Sequence, residues 1–371
     1  MPGQIDILIV AGARPNFMKI APVLRAMESS RVLRGILIHT GQHHDDAMSG
    51  SFFRDLGIPE PEENLGVGGG SHAQQTAEIM RRFEPVLDRI TPAAILVVGD
   101  VNSTLACALV AAKKKIPVIH VEAGLRSFDR SMPEEINRVL TDQISDFLFT
   151  TEREADKNLQ IEGIAPEKIH FVGNVMVDSL EHHLDRAVPS EQTLKSLGIQ
   201  PSAAGYALLT LHRPSNVDDE NIFGGLTRAL HEIGNKFPVI FPAHPRTIQA
   251  IERFSLDRYF DNKKISIVPP QPYLSMLGLV RDAKIVMTDS GGLQEETTAL
   301  AVPCFTLREN TERWVTVNEG TNAMVGTSPE ALLKAFGEFI AGKIKKGMRP
   351  ELWDGNAARR IVAVLEKDLA G

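Results

Sequence analysis

Three acidic residues stand where a folded chain could put carboxylates to chemical use. Asp100 closes the apolar run "AAILVVGD" (93–100), Glu122 follows "PVIHV" directly, and Glu134 follows Ser131-Met132-Pro133. A carboxylate at the end of a buried apolar run is costly unless it is paired or hydrogen-bonded. Each therefore needs a structural partner or a proton-transfer role. The structural explanations are specific. Asp100, Asn102 or Ser103 can cap the helix expected next. Arg126 can neutralise Glu122, and Ser131 with Glu134 matches the S-x-x-E capping box.

A second group of residues reads as anion recognition. In "AGARPNFMK" (11–19) the run ends in Arg14 and Pro15, and Pro15 is preset for a first helical turn. Arg14 then lies beside a helix N-terminus, where anions are favoured, and Lys19 follows about one turn later. In "MTDSGGLQEE" (287–296), Ser290-Gly291-Gly292 turns a strand into a helix whose first N–H groups can cradle phosphate. Glu295 or Glu296 is then placed to accept ribose hydroxyls. His212-Arg213 in "LTLHRP", His244 with Arg246 in "FPAHPR" and Arg313 in "ENTERW" add cations at further strand ends. The missing G-x-G-x-x-G argues against NAD(P). No zinc-spaced Cys/His set, calcium loop, G-x-S-x-G elbow or Walker A is present. A nucleotide-sugar enzyme is the economical reading, and a two-Rossmann glycosyltransferase would carry much the same residues.

These residues need a scaffold, and the apolar runs supply one. They are short, continuous and rich in β-branched residues, as buried parallel strands are. In the first half they include 6–12, 34–41, 93–100, 116–124 and 146–151, with helical patterns between most of them. The pattern restarts at 206–214 and continues through 237–245, 264–271, 283–292 and 302–309. That rhythm predicts α/β architecture with two doubly wound sheets. The polar, turn-rich stretch near 175–200 marks the boundary, and a last helix closes the chain over roughly 355–369. In such sheets ligands sit outside the carboxyl ends of the strands. The 371 residues suffice for two domains, each with its own core. A net charge of −7 argues against nucleic-acid or anionic-membrane partners. Cys107 and Cys304, both in apolar surroundings, suit a reducing compartment. No membrane span or signal-peptide layout is visible, so a cytoplasmic protein is expected.

Taken in order over almost the whole chain, the motifs resemble the non-hydrolysing UDP-N-acetylglucosamine 2-epimerase family. They are "GARPNFMKIAPV" (12–23), "GDVNSTLA" (99–106), "HVEAGLRS" (120–127), "MPEEINR" (132–138), "LHRPSNVD" (211–218), "TDSGGLQEE" (288–296) and "TER" (311–313). The resemblance implies a glycosyltransferase-B fold, with two Rossmann-like domains facing a cleft. The first domain would cover 1–175 and carry the acid/base carboxylates, with a C-terminal helix over 355–371 packing back on it; the second would cover 176–354 and bind UDP. The implied reaction is reversible C2 epimerisation of UDP-N-acetylglucosamine to UDP-N-acetylmannosamine, by elimination and re-addition of UDP through a 2-acetamidoglucal. It uses no cofactor and no metal. The family's catalytic residues fall on Asp100, Glu122, Glu134 and His212. Its substrate contacts fall on Arg14, Lys19, Gln271, Met276, Ser290, Gly291, Gly292, Glu296 and Arg313. A homodimer and a UDP-sugar partner are also implied. Hydrolysing 2-epimerases and 2-epimerases of related UDP-acetamido sugars are the alternatives. The chain departs from the family in having Asn16 after Arg14-Pro15, Pro214-Ser215 after His212-Arg213, Met276 for an aromatic residue, and Trp314-Val315 after "TER".

Overall fold

The computed structural model describes residues 3–42, 53, 56–200, 202–260 and 265–369, except for the side chain of Arg14. The chain divides into two compact units, one of Met1–His182 with Glu351–Gly371 and one of His183–Pro350.

The first unit runs β1 (Ile5–Ala11), α1 (Arg14–Glu28), β2 (Leu33–His39), β3 (Glu63–Asn64), α2 (His72–Ile90), β4 (Ala94–Val98) and α3 (Asn102–Lys113). It continues with β5 (Val118–Ala123), α4 (Pro133–Gln143), β6 (Phe147–Thr150), α5 (Arg153–Ile161), β7 (Ile169–Phe171) and α6 (Val175–Leu184), whose last residues enter the second unit. The strands form one sheet in the order β3-β2-β1-β4-β5-β6-β7, and every pairing is parallel. Ile7–Ala11 of β1 and all of β4 are apolar without interruption because both sheet faces are covered. Ile79, Phe83 and Val86 of α2, with Ala106–Ala108 of α3, pack on Leu8, Val10, Ile95 and Val97. Leu24 and Met27 of α1 reach the opposite side beside Ile9.

The second unit runs α7 (Ser190–Ser196), β8 (Ala207–Thr210), α8 (Pro214–Val217), α9 (Glu220–Gly234), β9 (Val239–Pro242), α10 (Pro245–Arg253), β10 (Ile265–Val268) and α11 (Tyr273–Asp282). β11 (Ile285–Thr288), α12 (Gly291–Ala299), β12 (Cys304–Thr306), α13 (Trp314–Asn318), β13 (Asn322–Met324) and α14 (Pro329–Ile340) follow. Its sheet is also parallel throughout, in the order β10-β9-β8-β11-β12-β13. Successive strand residues serve opposite faces. Leu209, Phe241 and Met287 join Phe223, Leu226 and Phe336 on one side, while Leu208, Ile240 and Val286 join Leu279 and Leu293 on the other. The two parallel α/β sheets are those the apolar runs predict.

Both sheets reverse direction once. Strand order grows outward from β1 on one side and from β4 on the other, and the second sheet does the same at β8 and β11. At such a switch point the connections leave to opposite sides and open a crevice at the carboxyl ends. The chain ends with α15 (Ala357–Leu369), which returns to the first unit and packs against α1. Asp178 of α6 fixes its start. The carboxylate accepts from the N–H groups of Ala357 (3.1 Å) and Ala358 (2.7 Å), two of the donors a helix start leaves open. Just before it, buried Trp353 donates through Nε1 to the Thr151 carbonyl at 3.0 Å. Among the described residues no helix is long and apolar enough to cross a membrane.

Candidate active site

The carboxyl ends of β1 and β4 meet at the first switch point, and Asn16 ties them together. Its Oδ1 accepts from the Gly12 N–H (3.2 Å) and the Ala13 N–H (3.0 Å), and its Nδ2 donates to the Val98 carbonyl (3.1 Å). A side chain at Gly12 has no room, since an added Cβ would lie 2.1 Å from Ser103 Oγ. Arg14 opens α1 at this point, and its side chain lies outside the described residues.

Lys19, on α1, reaches the end of β5. Its Nζ is 2.8 Å from Glu122 Oε1 and 2.6 Å from Oε2, and both residues are buried. Gly99 borders the pair, with Lys19 Nζ 3.2 Å from where its Cβ would be. Glu122 sits at a register shift between Val121 and Ala123 and has φ +73°. For a residue with a side chain this backbone costs about 1–3 kcal/mol and persists where surrounding structure enforces it. The bulge aims the carboxylate toward α1 instead of letting the strand's alternation set its direction.

Arg126 therefore does not neutralise Glu122. Beyond Glu122 the chain turns at Gly124 (φ +78°), and the Arg126 guanidinium contacts Asp142 at 2.7 Å and Glu162 at 2.6 Å. Asp142 also meets His120 Nδ1 at 2.6 Å, while His120 Nε2 lies 2.9 Å from the Gly99 carbonyl. Burial pushes Asp142 upward, but the His120 and Arg126 contacts outweigh it and hold its carboxyl below the usual carboxylate range.

Neither of the other carboxylates caps a helix. Val101 is the N-cap of α3, with no side-chain cap bond, and Asn102 is already helical. Asp100 pairs with Arg138 of α4 at 2.6 Å, and its carbonyl accepts from Asn137 Nδ2 at 2.8 Å. Arg138 is forked, because its other terminal nitrogen is 2.6 Å from buried Glu135. Glu135 in turn accepts from the N–H groups of Ser127 and Phe128, both at 2.9 Å, and so holds the loop after Glu122. The N-cap of α4 is Met132 and not Ser131, whose N–H and hydroxyl both donate to Asp129. The reason is local: a residue before proline is pushed out of the α region, so Met132 cannot be the first helical residue that the Ser131–Glu134 box requires. Glu134 lies in the first turn of α4, half-buried.

In the second unit the switch point joins Thr210 to Thr288, which pair in register. His212 Nδ1 lies 2.9 Å from Asp289 Oδ1. Asp289 is fully buried, and its Oδ2 accepts from the N–H groups of His212 and Arg213, both at 2.8 Å. His244 caps α10 by accepting the Arg246 N–H, and Arg246 turns to Asp218. Ser290 is the N-cap of α12 and makes no side-chain cap bond, so the helix's first N–H groups remain available at Gly291 and Gly292. A Cβ on Gly291 would lie 2.7 Å from Glu312 Oε1 and 3.8 Å from Arg313 Nε. Arg313 is held 3.1 Å from Glu295, and Arg308 3.0 Å from Glu312. Glu296 is buried on α12. Gln271, bonded to the Pro269 carbonyl at 2.7 Å, precedes α11, which carries Met276 and packs beside α12.

The structure thus brings Lys19 to Glu122, and Ser290, Gly291, Glu295 and Arg313 to one helix start. Arg138, Glu135 and Asp289 are the additions that sequence reasoning missed. Arg138 reaches Asp100 across 38 residues and Asp289 reaches His212 across 77, Glu135 acts through the folded 127–128 loop, and Asp289 before Ser-Gly-Gly reads as an ordinary turn residue.

A family model described as UDP-N-acetylglucosamine 2-epimerase matches residues 25–366. The UDP-N-acetylglucosamine 2-epimerase of Methanocaldococcus jannaschii is 44% identical over 97% of this chain and 99% of that protein. The UDP-2,3-diacetamido-2,3-dideoxy-D-glucuronate 2-epimerase of Pseudomonas aeruginosa is 41% identical over 98% of this chain and all (100%) of that one. Among solved structures, the M. jannaschii UDP-GlcNAc 2-epimerase in complex with UDP-GlcNAc and UDP superposes with a TM-score of 0.89. It is 41% identical and spans 98% of this chain and 100% of its own.

Proposed function

Because this chain belongs to the UDP-N-acetylglucosamine 2-epimerase family, we propose that it interconverts UDP-N-acetylglucosamine and UDP-N-acetylmannosamine without hydrolysing either. The observation that carries this is Glu122, a buried carboxylate held at φ +73° against Lys19, where a strand end alone would not place it.

The sugar's C2 proton is not next to a carbonyl and is very weakly acidic, so its removal needs help. Elimination supplies it. A carboxylate takes the C2 proton, the C2–H electrons form the C1=C2 bond, and the C1–O pair leaves with UDP. Return of a proton to the opposite face of C2, with UDP re-forming the C1–O bond, gives the epimer. Two faces call for more than one acid/base group, and Asp100, Glu122 and Glu134 of the first unit fill those roles. UDP leaves as an anion. The N–H groups after Ser290, with Gly291, Gly292, Arg313, His212 and Arg14, stabilise it electrostatically. Glu296, Gln271 and Met276 hold the nucleoside. The chemistry needs neither a redox cofactor nor a metal.

Incubating the protein with UDP-N-acetylglucosamine in D2O and following C2 by proton NMR tests the reading. UDP-N-acetylmannosamine with deuterium at C2 is the expected product. Free N-acetylmannosamine plus UDP would mean a hydrolysing enzyme, and no exchange at C2 would remove the proposal for this substrate. The P. aeruginosa relative favours a second substrate class, UDP-diacetamido-uronates, and the same assay with that sugar decides between them.

A further inference from the structure

We infer that Asp289 is a positioning residue for His212: it keeps a proton on Nδ1 and leaves Nε2 as the atom that works on the substrate. The inference rests on His212 acting in the proposed reaction.

The two oxygens of Asp289 have separate duties. Oδ2 is engaged by three N–H groups, those of His212 (2.8 Å), Arg213 (2.8 Å) and the Asn216 side chain (3.3 Å). Oδ1 is buried and accepts no hydrogen bond from the described residues, and the His212 ring nitrogen lies 2.9 Å from it. Asn216 is itself anchored to the Leu307 carbonyl at 2.8 Å. The carboxylate is therefore clamped in orientation before the imidazole meets it.

Its charge is fixed as well. Burial alone would raise Asp289, but the His212 contact and the N–H groups of Arg213 and His212 outweigh burial and hold it below the usual carboxylate range. A carboxylate can only accept, so the ring nitrogen facing it must carry hydrogen. In the neutral ring that leaves the lone pair on Nε2, and in the charged ring it makes Nε2–H the exchangeable donor. The Asp289 side chain is wholly buried while that of His212 is 41% exposed, so the polar far edge of the ring is the accessible one. Sequence gives no hint of the pair, because Asp289 and His212 leave neighbouring strands, β11 and β8, 77 residues apart.

Asp289→Asn tests it. The asparagine carbonyl can keep the three N–H bonds, but its NH2 would face Nδ1, which must then accept, and the neutral ring's hydrogen moves to Nε2. In protein labelled with 15N-histidine, and with His212 assigned through His212→Asn, the wild type should show protonated Nδ1 and the variant protonated Nε2. Turnover of UDP-N-acetylglucosamine should fall about 10²–10⁴-fold in kcat, the usual range for losing acid/base function, with KM within about threefold and an unchanged far-UV spectrum. A wild-type ring with hydrogen on Nε2 alone overturns the inference, as does a variant with wild-type kcat. If Asp289→Asn does not fold, the wild-type tautomer still decides. If the wild type turns over no UDP-N-acetylglucosamine, the functional reading fails while the tautomer measurement stands on its own.

Discussion

Lys19 Nζ lies within 2.8 Å of one Glu122 oxygen and 2.6 Å of the other, across the 103 residues that separate α1 from the end of β5. Two consequences separate cleanly. Lys19→Met takes the ammonium away from a buried carboxylate, which costs about 3–5 kcal/mol of stability, and turnover falls with it. Glu122→Gln keeps the shape and an oxygen for Lys19, so its stability loss is about 1–3 kcal/mol, but kcat drops about 10²–10⁴-fold. Denaturant unfolding and steady-state kinetics on both variants check this. Wild-type turnover in Glu122→Gln would falsify the proton-transfer role.

Glu134 offers a sharper contrast, because no capping bond depends on it. Its only expected structural contribution is a carboxylate in the first turn of α4, worth about 0.3–1 kcal/mol against the helix dipole. Glu134→Gln should therefore shift the melting temperature by no more than a few degrees. Epimerisation should slow about 10²–10⁴-fold. The opposite result, a large stability loss with turnover intact, returns Glu134 to a structural role.

At the start of α12 the Gly291 position is set by contact. An added methyl would meet Glu312 Oε1 at 2.7 Å and displace the carboxylate that accompanies Arg308 and Arg313. Gly291→Ala should weaken UDP binding at least about tenfold, or roughly 1.4 kcal/mol, by isothermal titration calorimetry. Unchanged affinity would remove this helix start from the nucleotide site.

Acid stability should track Asp142. Its carboxyl is held below the ordinary value by His120 and Arg126 against the opposing effect of burial. Its stabilisation is therefore complete above about pH 3.9, the unfolded value. It is lost as pH falls through the lower folded value, because the unfolded chain takes up the proton first. Guanidinium midpoints should drop on the acid side in the wild type. They should drop less steeply in Asp142→Asn, which starts from lower stability. Trp353, buried in the first unit, reports this transition in a Trp314→Phe background. Parallel acid limbs in the two proteins would count against Asp142.

The strands were legible because parallel strands covered on both faces are written as unbroken apolar runs. Asp100 and Glu122 were legible as the polar residues that end them. What failed was pairing. Arg126 stands four residues after Glu122 and looked like its partner, but a bulge and a glycine turn lie between them. Ser131 fits a capping pattern that Pro133, two residues later, forbids, a conflict visible in the sequence itself. Arg138 and Asp289 could not be read locally. Each acts across 38 or 77 residues, and such distances close only when the sheet forms.

The return of α15 also sets a timetable for the ribosome. Residues 183–350 form a contiguous stretch, whereas the first unit lacks Glu351–Gly371 until the whole of the second unit has been made. Domains made during synthesis usually finish from the N-terminus onward. Here the order inverts. The nascent first unit waits with the Asp178 carboxylate and the surface under Trp353 and α15 uncovered, and residues 351–371, made only after the second unit, are the ones that seal it.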